Sequence, residues 1–258
     1  MRVIDIHSHI LAGIDDGAKT LEDSLLMAEK AVEEGITKII ATPHHQHPSF
    51  QNEGPSVIEA VANLNDELIK RDIPLEVLSG QEVRLYGEMR QDLKLGAALS
   101  LANTKYVLIE LPTNQIPAYT SRLLYEVSSE GYIPVIAHPE RNKVFLESPD
   151  KLYELIKNGA LGQLTTSSLT GYFGKEIETF SRKLIEANLV HVLASDAHNL
   201  ANRTFRMQEA FTVLEEMYGQ SYMYAFQENA QLLADDKHLF LEPPERIVKK
   251  RKKRFGLF

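Results

Sequence analysis

The chain has 258 residues, 43% hydrophobic and 25% charged, ordinary proportions for a globular protein long enough to bury a substantial core. Its net charge of −8 is uneven: the run KKRKKR, Lys249 to Arg254, holds six of the 28 basic residues and leaves 22 against 36 acidic ones, so an acidic body bears a short basic tail and a general nucleic-acid binder is disfavoured. The absence of cysteine removes disulfides, thiolate ligands and a cysteine nucleophile, and with no apolar run of membrane-spanning length and no signal-peptide pattern, the expected location is cytoplasmic.

The first run, RVIDIH from residue 2, reads as a strand. Side chains alternate along a strand, so His7 and His9 share a face, with Asp15 and Asp16 in the loop beyond. Asp5, on the face of His7, is expected either to orient an imidazole or to be a polar strand start. Thr20 and Asp23 spell a capping box for a helix in LEDSLLMAEKAVEEG, with Leu21, Leu25, Ala28 and Val32 on one face and Gly35 closing it. The next strand, TKIIATPH from 37, reaches His44, with His45 and His47 beyond. Ser56 and Glu59 signal another helix start. PLEVLSGQE from 74 delivers Glu82, KYVLIELP from 105 delivers Glu110, and IPVIAHP from 133 ends at His138. A helix in PDKLYELIKNG from 149 leads to LGQLTT from 161, where Gln163 is the nearest polar candidate. A helix in KEIETFSRKLIEANL from 175 leads to VHVLASDAH from 190, ending in Asp196 and His198, again two residues apart on one face.

Strands apolar on both faces, alternating with amphipathic helices, indicate an α/β fold, either a βα barrel or a doubly wound sheet. No G-x-G-x-x-G follows the first strand and no Walker A is present. The polar residues favour the barrel, because its strands all open their C-terminal ends on one face, where residues from 7 to 198 would converge. Residues 1–248 read as a single domain, and 249–258 as a flexible basic tail. Imidazoles and carboxylates without sulfur suit zinc, manganese or iron. His7, His9, Asp16, His44, Glu82, Glu110, His138, Asp196 and His198 are too many donors for one ion and enough for two or three, with a carboxylate such as Glu82 as a bridge. Arg141 and Arg203 leave the same face and match phosphate geometry. The competing readings are a surface salt bridge for Arg141 and a helix start for Arg203.

DIHSHI, DDG, ATPHH, GQEVR, IELP, AHPERN and ASDAHN, in that order, resemble the PHP (polymerase and histidinol phosphatase) superfamily and, more narrowly, the bacterial CpsB/CapC-type protein tyrosine phosphatases, over residues 2 to about 205. The resemblance implies a distorted TIM-like barrel of about seven parallel strands and two or three divalent metal ions, manganese foremost. It implies the nine donors as ligands and Arg141 and Arg203 as the phosphate-binding pair. The implied activity is hydrolysis of phosphotyrosine on a bacterial tyrosine kinase and its substrates by a metal-bound hydroxide, in capsule or exopolysaccharide synthesis. His44 and His198 are the candidates to protonate the leaving oxygen, but ligation competes with that role and the acid is assigned to neither. Other readings are a histidinol-phosphatase-like enzyme for small phosphomonoesters, a metallo-amidohydrolase, and a binding module of the same fold, the last at odds with ligands at nearly every strand end. The tail is either a solvated end or a weak attachment to an anionic membrane surface.

Overall fold

The seven apolar runs become nine short strands in the computed structural model, which describes residues 3–248. They are β1 (Val3–Ser8), β2 (Ile36–Ala41), β3 (His44–His45), β4 (Glu76–Ser79), β5 (Glu82–Arg84), β6 (Tyr106–Glu110), β7 (Ile133–Ala137), β8 (Leu161–Thr165) and β9 (Val192–Ala194). All pair in parallel, β1-β2-β4 in one sheet and β3-β5-β6-β7-β8-β9 in the other. The second and third runs are each split in two. Pro43 has no N–H for a ladder. Gly80 lies so close to β2 that a Cβ there would stand 2.8 Å from Ile40 Cγ2. Each broken run passes from one sheet to the other, so strand order still follows chain order. Beyond the strand ends, the Asp196 N–H donates to the His7 carbonyl and the His9 N–H to the Ala197 carbonyl, both at 2.8 Å, and Ser8 bridges Ala197 in parallel. The last strand thereby returns to the first, giving the distorted βα barrel that the sequence leads one to expect.

Asp5 serves this junction rather than an imidazole. Its Oδ1 accepts the Ser195 N–H at 2.9 Å and its other oxygen accepts the Ser195 hydroxyl. Burial removes water from it, so donors from the neighbouring strand take water's place.

The helices follow their patterns with two changes. The Thr20 hydroxyl accepts the Asp23 N–H at 3.2 Å while the Asp23 carboxylate accepts the Thr20 N–H at 3.0 Å, a capping box on the helix Leu21–Glu33. Its buried stripe is Ser24, Leu25, Met27, Ala28 and Ala31, with Leu21 exposed and Val32 half-buried. Small residues centre the stripe and let the helix lie close to the sheet. The helix Gly54–Lys70 begins ahead of Ser56, with Pro55 in a first turn that needs no N–H from it, so Ser56 and Glu59 are not its cap.

Strand alternation explains why an apolar core and a polar site share one face. Tyr106 and Leu108 precede Glu110, Leu161 precedes Gln163, and Val192 and Ala194 precede Asp196, each two residues apart. The lower members pack in one cluster with Ala230 and Leu233 of the helix Gln220–Ala234, and the upper members are polar. Among the described residues no helix is long and apolar enough to cross a membrane. The basic run Lys249 to Arg254 lies outside the described residues.

Candidate metal centre

The strand C-termini bring the expected donors into one cluster. Three overlapping sets have ligand atoms within 4.8 Å of one another: His9, Asp16, His44 and His198; His7, His9 and Glu82; His44, Glu82 and Glu110. The remaining two touch the same cluster. His138 Nε2 lies 2.7 Å from Glu82 Oε1, and Asp196 Oδ1 lies 3.3 Å from His7 Nε2 and 3.4 Å from His9 Nε2. Two of the donors, His138 and Asp196, sit in left-handed backbone conformations at φ of 34° and 52°. Such backbone is costly away from glycine and is held here by the surrounding structure.

Hydrogen bonds on the outer side of each ring decide what faces inward. Asp15 Oδ2 accepts from His9 Nδ1 at 2.7 Å, and the Gln163 amide oxygen accepts from His7 Nδ1 at 3.0 Å. The same Gln163 oxygen accepts the His138 N–H at 3.2 Å, which fixes the amide's orientation because a backbone N–H only donates. His198 Nδ1 donates to the Asp196 carbonyl at 2.9 Å. The Nε2 atoms of His7, His9 and His198 are therefore left as lone pairs. His7 Nε2 and His9 Nε2 face each other at 3.2 Å, and His198 Nε2 faces Asp16 Oδ1 at 3.3 Å. Lone pairs turned on one another and on carboxylates repel unless a proton or a metal cation lies among them. Buried His44 Nδ1 and His198 Nε2 have no hydrogen-bond partner. The donor chemistry fits divalent ions.

Two of the rings, His198 and His138, tend toward the neutral form that this orientation needs, whereas against burial Asp15, Asp196 and Glu82 raise His9 well above the usual imidazole range. Burial pushes His198 down to about 4, with His9 adding to the effect, and burial with Arg141 does the same to His138. Burial opposes ionisation of Glu82, yet His7 and His44 hold its carboxyl well below the usual range. Asp196 is likewise held low against burial, by Arg141, His7 and Arg203. Burial and the neighbouring Glu82 push Glu110 up to about 7. Burial also opposes the charged form of His44, but Glu82 and Asp16 raise it to about 9.

A cleft of about 280 Å³ opens onto this cluster, and Arg141 and Arg203 line it together with His47, Leu111, Ile136 and Phe145. The Arg141 Nη2 donates to Asp196 Oδ2 at 2.6 Å and the Arg203 Nη2 to the same oxygen at 3.0 Å. Both guanidinium groups thus sit at the centre rather than on the outer surface, and the helix Met207–Tyr218 starts beyond Arg203, with Arg206 pairing Glu209. His47 stacks on His44 at 4.6 Å and on Phe50 at 5.4 Å, forming an aromatic wall. His45 turns elsewhere, its Nδ1 bonded to the Asn52 carbonyl.

Two neighbours of the centre, Arg84 and Glu140, escape a reading by ligand type, and a third, Asp15, is legible in the loop after the first strand but not in the place it takes. Arg84, two residues after Glu82, donates to Glu110 Oε2 at 3.1 Å. Glu140 is fully buried, and its Oε1 accepts from the Thr165 N–H at 3.1 Å and the Ser168 hydroxyl at 2.6 Å, tying the turn that carries Arg141 to β8. Asp15 acts on His9 from behind rather than as one of the clustered donors. For Arg84 the two-residue spacing was a usable signal; for the others only tertiary placement tells.

Residues 3–234 match the family model for capsular polysaccharide synthesis, CpsB/CapC. The chain is 51% identical over 256 residues to the tyrosine-protein phosphatase YwqE of Bacillus subtilis, covering 99% of this chain and 100% of that protein. It is 37% identical over 255 residues to the putative tyrosine-protein phosphatase CapC of Staphylococcus aureus, again covering 99% and 100%. Among solved structures it superposes with a TM-score of 0.93 and 51% identity, over 96% of this chain and 100% of the other, on a chain from the crystal structures of Bacillus subtilis YwqE and Streptococcus pneumoniae CpsB, described as unique metal-dependent tyrosine phosphatases.

Proposed function

Because this chain belongs to the CpsB/CapC family, we propose that it is a metal-dependent protein-tyrosine phosphatase acting in capsule or exopolysaccharide synthesis. The observation that carries the reading is the convergence of outward-anchored imidazoles, lone pairs inward, beside two arginines in one cleft. His7, His9, Asp16, His44, Glu82, Glu110, His138, Asp196 and His198 would hold two or three divalent ions, manganese first, with zinc or iron as alternatives. When bound, such ions supply charge neutralisation of phosphoryl oxygens and a lowered pKa for water.

The protein's own groups then bind and orient. Arg141 and Arg203 converge their terminal nitrogens on one oxygen of Asp196, a paired-donor arrangement suited to a phosphoryl group held beside that carboxylate. His47, half-buried, flanks the cleft as a flat wall against which an aromatic ring can stack. An aryl phosphate satisfies both features, whereas an alkyl phosphate uses only the first. The substrate we infer is a tyrosine-phosphorylated protein, a bacterial tyrosine kinase foremost, met in the cytoplasm by a single domain spanning residues 1–248. The tail 249–258 would add weak attraction to anionic lipid, and its removal should leave peptide hydrolysis unchanged.

Phosphate release from a tyrosine-phosphorylated peptide tests the reading, measured as purified, after chelation, and with manganese, zinc or iron returned. Activity should vanish on chelation and return with manganese. No release in any metal state from folded protein would sink the proposal and turn the search to small phosphomonoesters such as histidinol phosphate.

A further inference from the structure

On the other side of Asp16 a second depression of about 390 Å³ opens beside the cleft, and Asp16 lines both. His198 forms part of its inner edge. Its floor includes buried Ala18 and Met27, and its lining includes Leu26 and Leu200, which are 42% and 43% exposed. These leucines come from different elements, the helix Leu21–Glu33 and the loop after β9. Single exposed leucines are ordinary, but two lining one groove that shares a wall with the site are not scattered surface residues.

The groove is held in register with the centre because the same two loops build both. Gly17 packs so tightly on the first loop that a Cβ there would lie 2.0 Å from the His9 carbonyl oxygen, and the Ala18 N–H donates to that carbonyl at 3.1 Å. In the loop after β9, the Asn199 side-chain oxygen accepts the N–H groups of Ala201, Asn202 and Arg203 at 3.0, 3.0 and 3.2 Å. The His198 N–H donates to the Arg203 carbonyl at 2.8 Å. Leu200 is therefore presented at the tip of an ordered turn, between His198 on the inner edge of the groove and Arg203, which lines the cleft.

We infer that this groove receives an apolar side chain from the polypeptide flanking the substrate phosphotyrosine. The inference rests on the phosphatase reading above. The aryl phosphate occupies the cleft, the chain crosses Asp16, and a neighbouring apolar side chain settles between Leu26 and Leu200. An apolar side chain gained or lost in such a pocket changes kcat/KM on the order of 10-fold.

The test uses short tyrosine-phosphorylated peptides in a glycine–serine background, with one leucine moved through the positions on either side of the phosphotyrosine. Phosphate release is followed for the full-length protein and for a Leu26→Ser, Leu200→Ser double variant, with p-nitrophenyl phosphate as a substrate that needs only the cleft. Leucine at one position should raise kcat/KM about 10-fold, mainly through KM, and the variant should lose that advantage while hydrolysing p-nitrophenyl phosphate as before. The inference is overturned by a flat leucine scan, by a preference that survives in the variant, or by equal loss on peptide and small substrate. Hydrolysis of both substrates with a flat scan removes only the groove. Hydrolysis of neither removes the phosphatase reading, and the groove falls with it.

Discussion

The two ends of the strands bury histidine on opposite terms. At the C-terminal ends His7, His9 and His198 each use Nδ1 on an outer acceptor and turn Nε2 toward other donors. At the start of β9, His191 is equally buried, but its Nδ1 accepts the Gly162 N–H at 3.1 Å and its carbonyl accepts from Asn229 at 2.9 Å, while burial pushes the ring down to about 4. One arrangement closes a local hydrogen-bond account; the other leaves several lone pairs converging on one point. Burial alone therefore says little about a histidine's role, and the direction of the ring nitrogen without an outer partner says much.

The contrast can be broken most severely at Glu82, whose oxygens reach His9, His44 and His138. Glu82→Gln keeps the shape and removes the charge, and should lower kcat/KM about 10³-fold or more, with less bound metal by elemental analysis. Wild-type turnover in that variant would mean the convergence is structural only.

The other end is tested through pH. His191 has its folded pKa depressed from 6.5 to about 4, so the unfolded chain binds more protons between those values. Its contribution is present above pH 6.5 and lost as pH falls toward 4, about 3 kcal/mol in all. His191→Asn keeps an acceptor for Gly162. In urea titrations the stability gap between wild type and variant should narrow by about that amount from pH 7 to pH 4. A constant gap would show that His191 does not titrate differently in the two states.

A smaller effect separates holding a ligand from orienting it. Asp15→Asn weakens the acceptor behind His9, and should cost about 10- to 100-fold in metal affinity or activity without unfolding the protein. Smaller still, Thr20→Ala removes half of the capping box and should lower stability by about 1 kcal/mol in denaturant while kcat stays unchanged. A change in kcat would show that this helix start supports the site.

Much of this was legible along the chain, and particular residues show where legibility stops. Parallel strands buried on both faces announce themselves as apolar runs, and the spacing of His7 and His9, or Asp196 and His198, puts donors on one face without further knowledge. Pro43 and Gly80 divide two of those runs because of what lies against them, which no local pattern records. Ser56 and Glu59 imitate a capping box, but Pro55 takes the first turn. Asp5 and Asp15 look alike in sequence, one strand-borne and one in a loop. Only the partner strand's Ser195 makes the first a junction residue, and only the fold brings the second behind His9.

The junction of the first and last strands has a consequence for how the protein comes into being. Asp5 meets Ser195 across 190 residues of chain, and His7 meets Asp196 through the backbone. A ribosome delivers the first two histidines long before the residues that complete their surroundings. Contacts of such separation form slowly, because loop-closure entropy comes before any reward. Newly made chains should therefore gather the ions proposed for this centre only after the ninth strand has been made, and fragments lacking that strand should leave His7 and His9 without Asp196 beside them.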